Sequence, residues 1–174
     1  MSARGPPALT VALTTDELRE VTRYAVACAE AALPIFERDC ADDARARAVL
    51  DEARKFVDGG NRTKALRMAA FDAHRAAREA VSEPAAHAAR AAGHAGGAAY
   101  LHPLAKATQV LHILGSAAHA ARAIELDGGS DFVETAQGLA GPIVVAVLTR
   151  YPNAPGGGGR VGELIRSLDA SLRT

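Results

Sequence analysis

Tryptophan is absent from this 174-residue chain, aromatic residues make up only 4%, and there are just two cysteines. The three tyrosines, Tyr24, Tyr100 and Tyr151, are scattered and give no platform on which nucleic-acid bases would stack. Charge of one sign is also missing. Lys+Arg and Asp+Glu are 20 each, so no positive surplus is available to displace counterions from nucleic acid. Cys28 and Cys40 fall on what reads as one helix. That offset spans roughly 18 Å, whereas a disulfide needs Cα atoms within about 7 Å. They are expected to be unpaired, as suits a cytoplasmic protein. No long apolar run exists. Residues 143–148 are far too few to span a bilayer, and no apolar stretch follows the N-terminus, so neither a membrane partner nor a signal peptide is expected.

The usual marks of chemistry are missing as well. There is no Gly-x-Gly-x-x-Gly, Walker-type loop or Gly-x-Ser-x-Gly elbow. The four glycines Gly156 to Gly159 follow Pro155 and lack the Lys-Ser/Thr ending that holds phosphate and magnesium, so they read as a flexible loop. No His-x-x-x-His, Glu-x-x-His or Cys-x-x-Cys pairing occurs, which argues against di-iron and zinc sites; no metal and no cofactor are expected.

What is present is alanine, 41 residues of it, and arginine, 17 residues against three lysines. Apolar residues recur at three- and four-residue steps through most of the chain, the period of an amphipathic helix. The expectation is an all-α single domain over residues 14–174, a bundle of six to seven helices behind a loose leader at 1–13. Thr14 and Glu17 form a capping box for a first helix, which Pro34 should kink or end. A second helix is expected over 42–57 and a third from Thr63 to about Val81. A fourth starts at Pro84 and runs to about Tyr100, a fifth runs from Pro103 to Leu126, a sixth covers about 131–149 behind a Ser130 cap and is broken near Gly138 to Pro142, and a last one spans 161–172. Residues 143–148 are strand-like by propensity but have no partner strand, so they are read as helix. The heptapeptide AAHAARA at 85–91 recurs at 117–123, with a weaker copy at 72–78. This is either a repeated helical unit or a coincidence of biased composition.

The histidines are the residues with chemical potential. All six, His74, His87, His94, His102, His112 and His119, fall on the third to fifth helices or their connections. On the fourth helix His87, Arg90, His94 and Gly97 share a sector of about 80°. On the fifth, Gln109, His112, Ser116 and His119 are spaced identically on an otherwise apolar helix. Two readings follow: partly solvated helix faces, or a small polar pocket lined by these residues with Arg90, Arg122 and Tyr100 as further donors. In the second reading His94, His112 and His119 are candidate acids, bases or ligand contacts.

Several segments together resemble a known family: 16–30 (DELREVTRYAVACAE) with 33–36 (LPIF), 69–79 (AAFDAHRAARE), 89–95 (ARAAGHA), and the ending 150–155 (RYPNAP) with 160–166 (RVGELIR). The chain is similar to short, Ala- and Arg-rich actinobacterial immunity proteins, whose helical domain is like that of the fifth class of toxin-immunity proteins. The resemblance implies a cytoplasmic, non-catalytic protein that binds and neutralises a toxin; it brings no catalytic residues. Two alternatives stand beside it: a small-molecule binder or enzyme using the histidine pocket between the fourth and fifth helices, and a homo-oligomer packed through alanine faces.

Overall fold

The computed structural model describes residues 9–174. Among these the architecture is all-helical: α1 (Thr15–Asp39), α2 (Arg45–Val57), α3 (Lys64–Glu79), α4 (Glu83–Ala98), α5 (Val110–Leu126), α6 (Val133–Leu139), α7 (Pro142–Leu148) and α8 (Gly159–Leu172), with a 3₁₀ turn at Ala107–Gln109. Among the described residues no helix is long and apolar enough to cross a membrane.

The helix starts follow side-chain capping. Thr14 accepts from the Glu17 amide at 3.1 Å while Glu17 accepts from the Thr14 amide at 2.9 Å, the reciprocal box. Thr63 and Ser82 cap α3 and α4 in the same way, through the amides of Leu66 and Ala85. Pro34 does not end α1. Its ring removes one backbone bond, but Leu33, Ile35 and Phe36 are all buried, and their packing holds the turn together.

Several boundaries differ from expectation. α2 begins at Arg45 rather than 42, because the Asp43 carboxylate accepts from the Arg45 amide at 3.0 Å and holds the preceding residues in a turn. No helix starts at Pro103. Residues 103–105 instead pair with the end of the expected leader: the Val11 amide donates to Pro103 at 3.0 Å, the Ala105 amide donates to Leu9 at 2.9 Å, and Thr10 and Leu104 form an isolated antiparallel bridge. That pairing delays α5 to Val110 and ties residues 9–11 to the bundle; residues 1–8 of the leader lie outside the described residues. The sixth segment does break where expected, into α6 and α7, since Pro142 has no amide to continue α6, but at its start Asp131 rather than Ser130 accepts from a backbone amide, that of Val133 at 2.9 Å. Residues 143–148 are helical, and α8 starts at Gly159.

α4 is the hub, packed against α1, α2, α3 and α5. Ala85, Ala88, Ala89, Ala91, Ala95 and Ala98 are fully buried on it. Small side chains let neighbouring backbones approach closely. At Gly96 a Cβ would lie 2.5 Å from Val49 Cγ2 and 3.1 Å from Ala70 Cβ, so α2 and α3 take the space a side chain would fill. Cys28 and Cys40 are unpaired, the first buried. Arginine stays outside, largely in ion pairs such as Arg38–Asp127 at 2.8 Å and Arg150–Glu17 at 2.6 Å, the second joining the end of α7 to the start of α1.

Candidate functional site

The side of α4 that lies between α3 and α5 carries imidazoles instead of methyl groups. α4 runs antiparallel to both neighbours: Gly93 and Gly96 meet His74 and Ala70 of α3, and Gly97 and His94 meet His112 and Gly115 of α5. The i, i+7 pair His87 and His94 stands two turns apart, roughly 10 Å. His119 of α5 fills the interval. Its ring stacks on His94 at 5.0 Å and 16° and on His87 at 5.2 Å and 27°. His74 of α3 closes the row, edge-on to His94 at 5.1 Å. His87 and His119, the equivalent positions of the AAHAARA echo, share a hydrogen bond between their Nδ1 atoms at 2.9 Å. One ring must donate and the other accept, so the bond requires two neutral imidazoles of opposite tautomer or a single shared charge.

Glycines make the room. A Cβ on Gly93 would lie 2.7 Å from His74 Nε2, and one on Gly115 would lie 2.8 Å from His94 Nδ1. Burial then sets the protonation. It lowers the pKa of His94 to about 3, helped by His74, His112 and Arg90, and that of His119 to about 2, helped by His94, His87 and Arg90. His74, His87 and His112 are lowered as well, each chiefly by burial. Glu83 opposes the shift at His87, its carboxylate 3.9 Å from Nε2, but stands mostly in water. The row is therefore neutral at pH 7.

Two clefts flank it. One, of about 360 Å³, has His94 and His119 on one wall and the glycine segment 156–158 with Val161 and Ile165 of α8 on the other. The other, of about 260 Å³, lies on the α3 side and is lined by His74, His112, His102, Tyr100 and Phe71. His94 and His119 thus share a cavity, while His112 faces the other one. Among the described residues no set of three His, Cys, Asp or Glu side chains is arranged to hold a metal ion.

The remaining sequence candidates disperse. Ser116 is buried and donates to the Ala25 carbonyl of α1 at 2.7 Å, away from the histidines. Gln109 accepts from the His102 amide at 3.0 Å and fastens the loop before α5. Arg122 is paired with Glu125 at 2.7 Å. Arg90 remains beside the row, lowering the pKa of four imidazoles. Tyr100 donates to the Thr63 carbonyl at 2.8 Å, and the guanidinium groups of Arg62 and Arg67 lie 5.9 and 5.7 Å from its ring centroid.

Two features escaped the sequence reading. The glycine segment is fastened: Arg166 Nη1 donates to the carbonyls of Pro155 and Gly157 at 3.1 and 2.7 Å, so what reads as a flexible loop is a cavity wall. On α3, Met68 and Phe71 are 44% and 55% exposed. They lie off the helix's apolar stripe, and that displacement was the available signal.

The model of one protein family, described as Imm-5 like putative immunity protein, matches residues 12–139, and the chain belongs to that family. The matched span includes the whole imidazole row and α3, and stops before the glycine segment and α8. No curated protein and no solved structure matches the chain.

Proposed function

We propose that this protein neutralises a toxin by binding it, without chemistry of its own, and that the outer face of α3 with Tyr100 is the contact surface. Family membership supports the toxin as partner. The observation that carries the surface is the composition of one patch. Tyr100 lies beneath two guanidinium groups, and Phe71 and Met68 are exposed alongside. Arginine, tyrosine, phenylalanine and methionine are the residues enriched in binding interfaces, and exposed large apolar side chains beside them are the usual anchors. Arg62, Lys64, Arg67 and Arg78 make no ion pair among the described residues, whereas Arg75 is held by Asp72. The patch is thus net positive in a protein of zero net charge, and its complement is an acidic toxin surface with an apolar pocket for Phe71. Of the residues singled out from sequence, Tyr100, His102, His74 and His112 border this patch through the cleft they share with Phe71 and Arg67; His87, His94 and His119 lie away from it.

Co-expression with any toxin gene found beside its own tests the proposal. The wild-type chain restores growth; no rescue would overturn the toxin reading. Arg67→Glu with Phe71→Asp changes exposed side chains only, so it leaves the thermal midpoint nearly unchanged and abolishes rescue. Full rescue by that variant would move the contact surface elsewhere.

A further inference from the structure

The cleft between α5 and α8 is a second place where this molecule can bind something, and it is independent of the toxin reading. Its volume of about 360 Å³ is more than twice the roughly 150 Å³ that accommodates benzene in an engineered cavity. Leu111, Val161 and Ile165 give it apolar walls, and among the described residues no charged side chain lines it. His94 and His119 supply its polar groups. The Nδ1 of His119 is taken by His87, which leaves Nε2 as its remaining polar edge. His94 is packed by rings and backbone on nearly every side, yet it makes no hydrogen bond among the described residues, and its nitrogens are not sealed from solvent as the Tyr24 hydroxyl is. It lines this cleft beside His119. A deeply packed imidazole with an unfilled hydrogen-bonding edge, opening onto an apolar space, is the pattern of a small-molecule site.

The geometry points to an uncharged molecule of one or two rings as the ligand, its apolar body between α5 and α8 and a hydrogen-bond donor directed at His94 or His119. A neutral imidazole keeps one lone pair, so His94 can accept from such a donor, and His119 can accept through Nε2 in the tautomer whose Nδ1 donates to His87. An anion would find no charged side chain on the walls, and a cation would find no carboxylate. The opposite wall is rigid enough to define the site: Gly162 packs so closely on the Gly157 carbonyl that a Cβ there would lie 1.9 Å from the oxygen, and Arg166 ties down the same carbonyl.

Nuclear magnetic resonance of the full chain, labelled with ¹⁵N at histidine, tests this with four probes of graded chemistry. Indole and phenol shift the side-chain signals of His94 and His119 saturably, with dissociation constants of about 1 mM or tighter. Toluene, which has no donor, binds about tenfold more weakly, and benzoate does not bind. Val161→Phe fills the cleft from α8, moves the free-protein signals of His94 and His119 itself, and weakens indole at least tenfold, while the His102 signals, outside the cleft, stay in place. Leu111→Phe fills it from α5 and replaces the first variant should that one not fold. Absence of saturable shifts at both histidines, benzoate binding as tightly as phenol, toluene equal to phenol, or indole binding unaffected by both filling variants would each overturn the assignment.

Discussion

Gly93 and Gly96 are one helical turn apart on α4, and both lack a side chain for a neighbour's benefit, but the neighbours differ. At Gly96 the vacated space holds a methyl of Val49 and the Cβ of Ala70, so two helices close on a third with nothing polar between them. At Gly93 it holds the His74 ring, the first of four imidazoles in a row. One contact is dry packing of apolar groups, the other a polar seam that stays buried only while it stays neutral. The same substitution economy therefore builds a core on one side and a chemically addressable feature on the other.

The largest effect is expected where the dry contact is broken. Gly96→Val places a branched side chain where even a Cβ falls 2.5 Å from Val49 Cγ2, and the atoms in the way belong to the fully buried Val49 of α2 and to the Cβ and Cα of Ala70 on α3. Neither can rotate aside. A loss of about 3 kcal/mol is expected from overpacking, a large part of the 5–15 kcal/mol typical of a domain. A urea unfolding midpoint that falls steeply would show it; an unchanged midpoint would mean α2 and α3 are not closed on α4 at this level. The loss should be the same at pH 7 and pH 5, because no titratable group touches Gly96.

The seam responds to acid instead. Burial lowers the pKa of His74, His87, His94, His112 and His119 in the folded chain. Below about pH 6.5 the unfolded chain binds protons that the folded chain refuses. Stability is then complete above that pH and declines as pH falls toward about 3, the folded value at His94. Between pH 6.5 and 5 one fully neutral ring contributes up to about 2 kcal/mol of this loss. The acidic partners of arginine act in a separate window, since Glu17 and Glu125 are lowered to about 2 and destabilise only where carboxylates protonate. His94→Gln removes a titrating ring, so urea titrations at pH 7 and 5 should differ less in the variant than in the wild type. An identical difference would place the acid sensitivity elsewhere.

How much of this was readable follows from which interactions are local. The capping residues Thr14, Glu17 and Thr63 act within three residues of themselves, and the starts of α1 and α3 were legible from them, as that of α4 was from Pro84 in its first turn. The all-helical class followed from apolar period. The i, i+7 spacing of His87 with His94, and of His112 with His119, placed each pair on one face of its helix. Which neighbour each face meets is a tertiary fact. Ser116 shares a sector with His119 yet bonds to α1, because α5 is covered by helices on more than one side. Pro103 looked like a helix start until residues 9–11 paired with its segment, a contact more than ninety positions away along the chain. The glycine segment looked loose because its restraint comes from Arg166 on the following helix.

Gly93→Ala is the smallest change and the most discriminating one. The atoms nearest to the new Cβ are all of the His74 ring, at 2.7 to 2.9 Å from Nε2, Cε1 and Cδ2. Those atoms sit at the far end of a half-buried side chain on the edge of the 260 Å³ cleft, so the ring has somewhere to turn. Against the cost of displacing it stands the gain from replacing glycine within a helix, about 1 kcal/mol. The two nearly cancel, and the unfolding midpoint should move by less than about 1 kcal/mol. The imidazole signals should report what the midpoint conceals. The His74 resonances shift as its edge-on contact with His94 is lost, the His94 signals follow, and His87, which meets the row at its other end, stays where it was. A loss of stability approaching that of Gly96→Val would show instead that the imidazole seam is packed as rigidly as the dry contact one turn away, and the distinction between the two glycines would be one of chemistry alone.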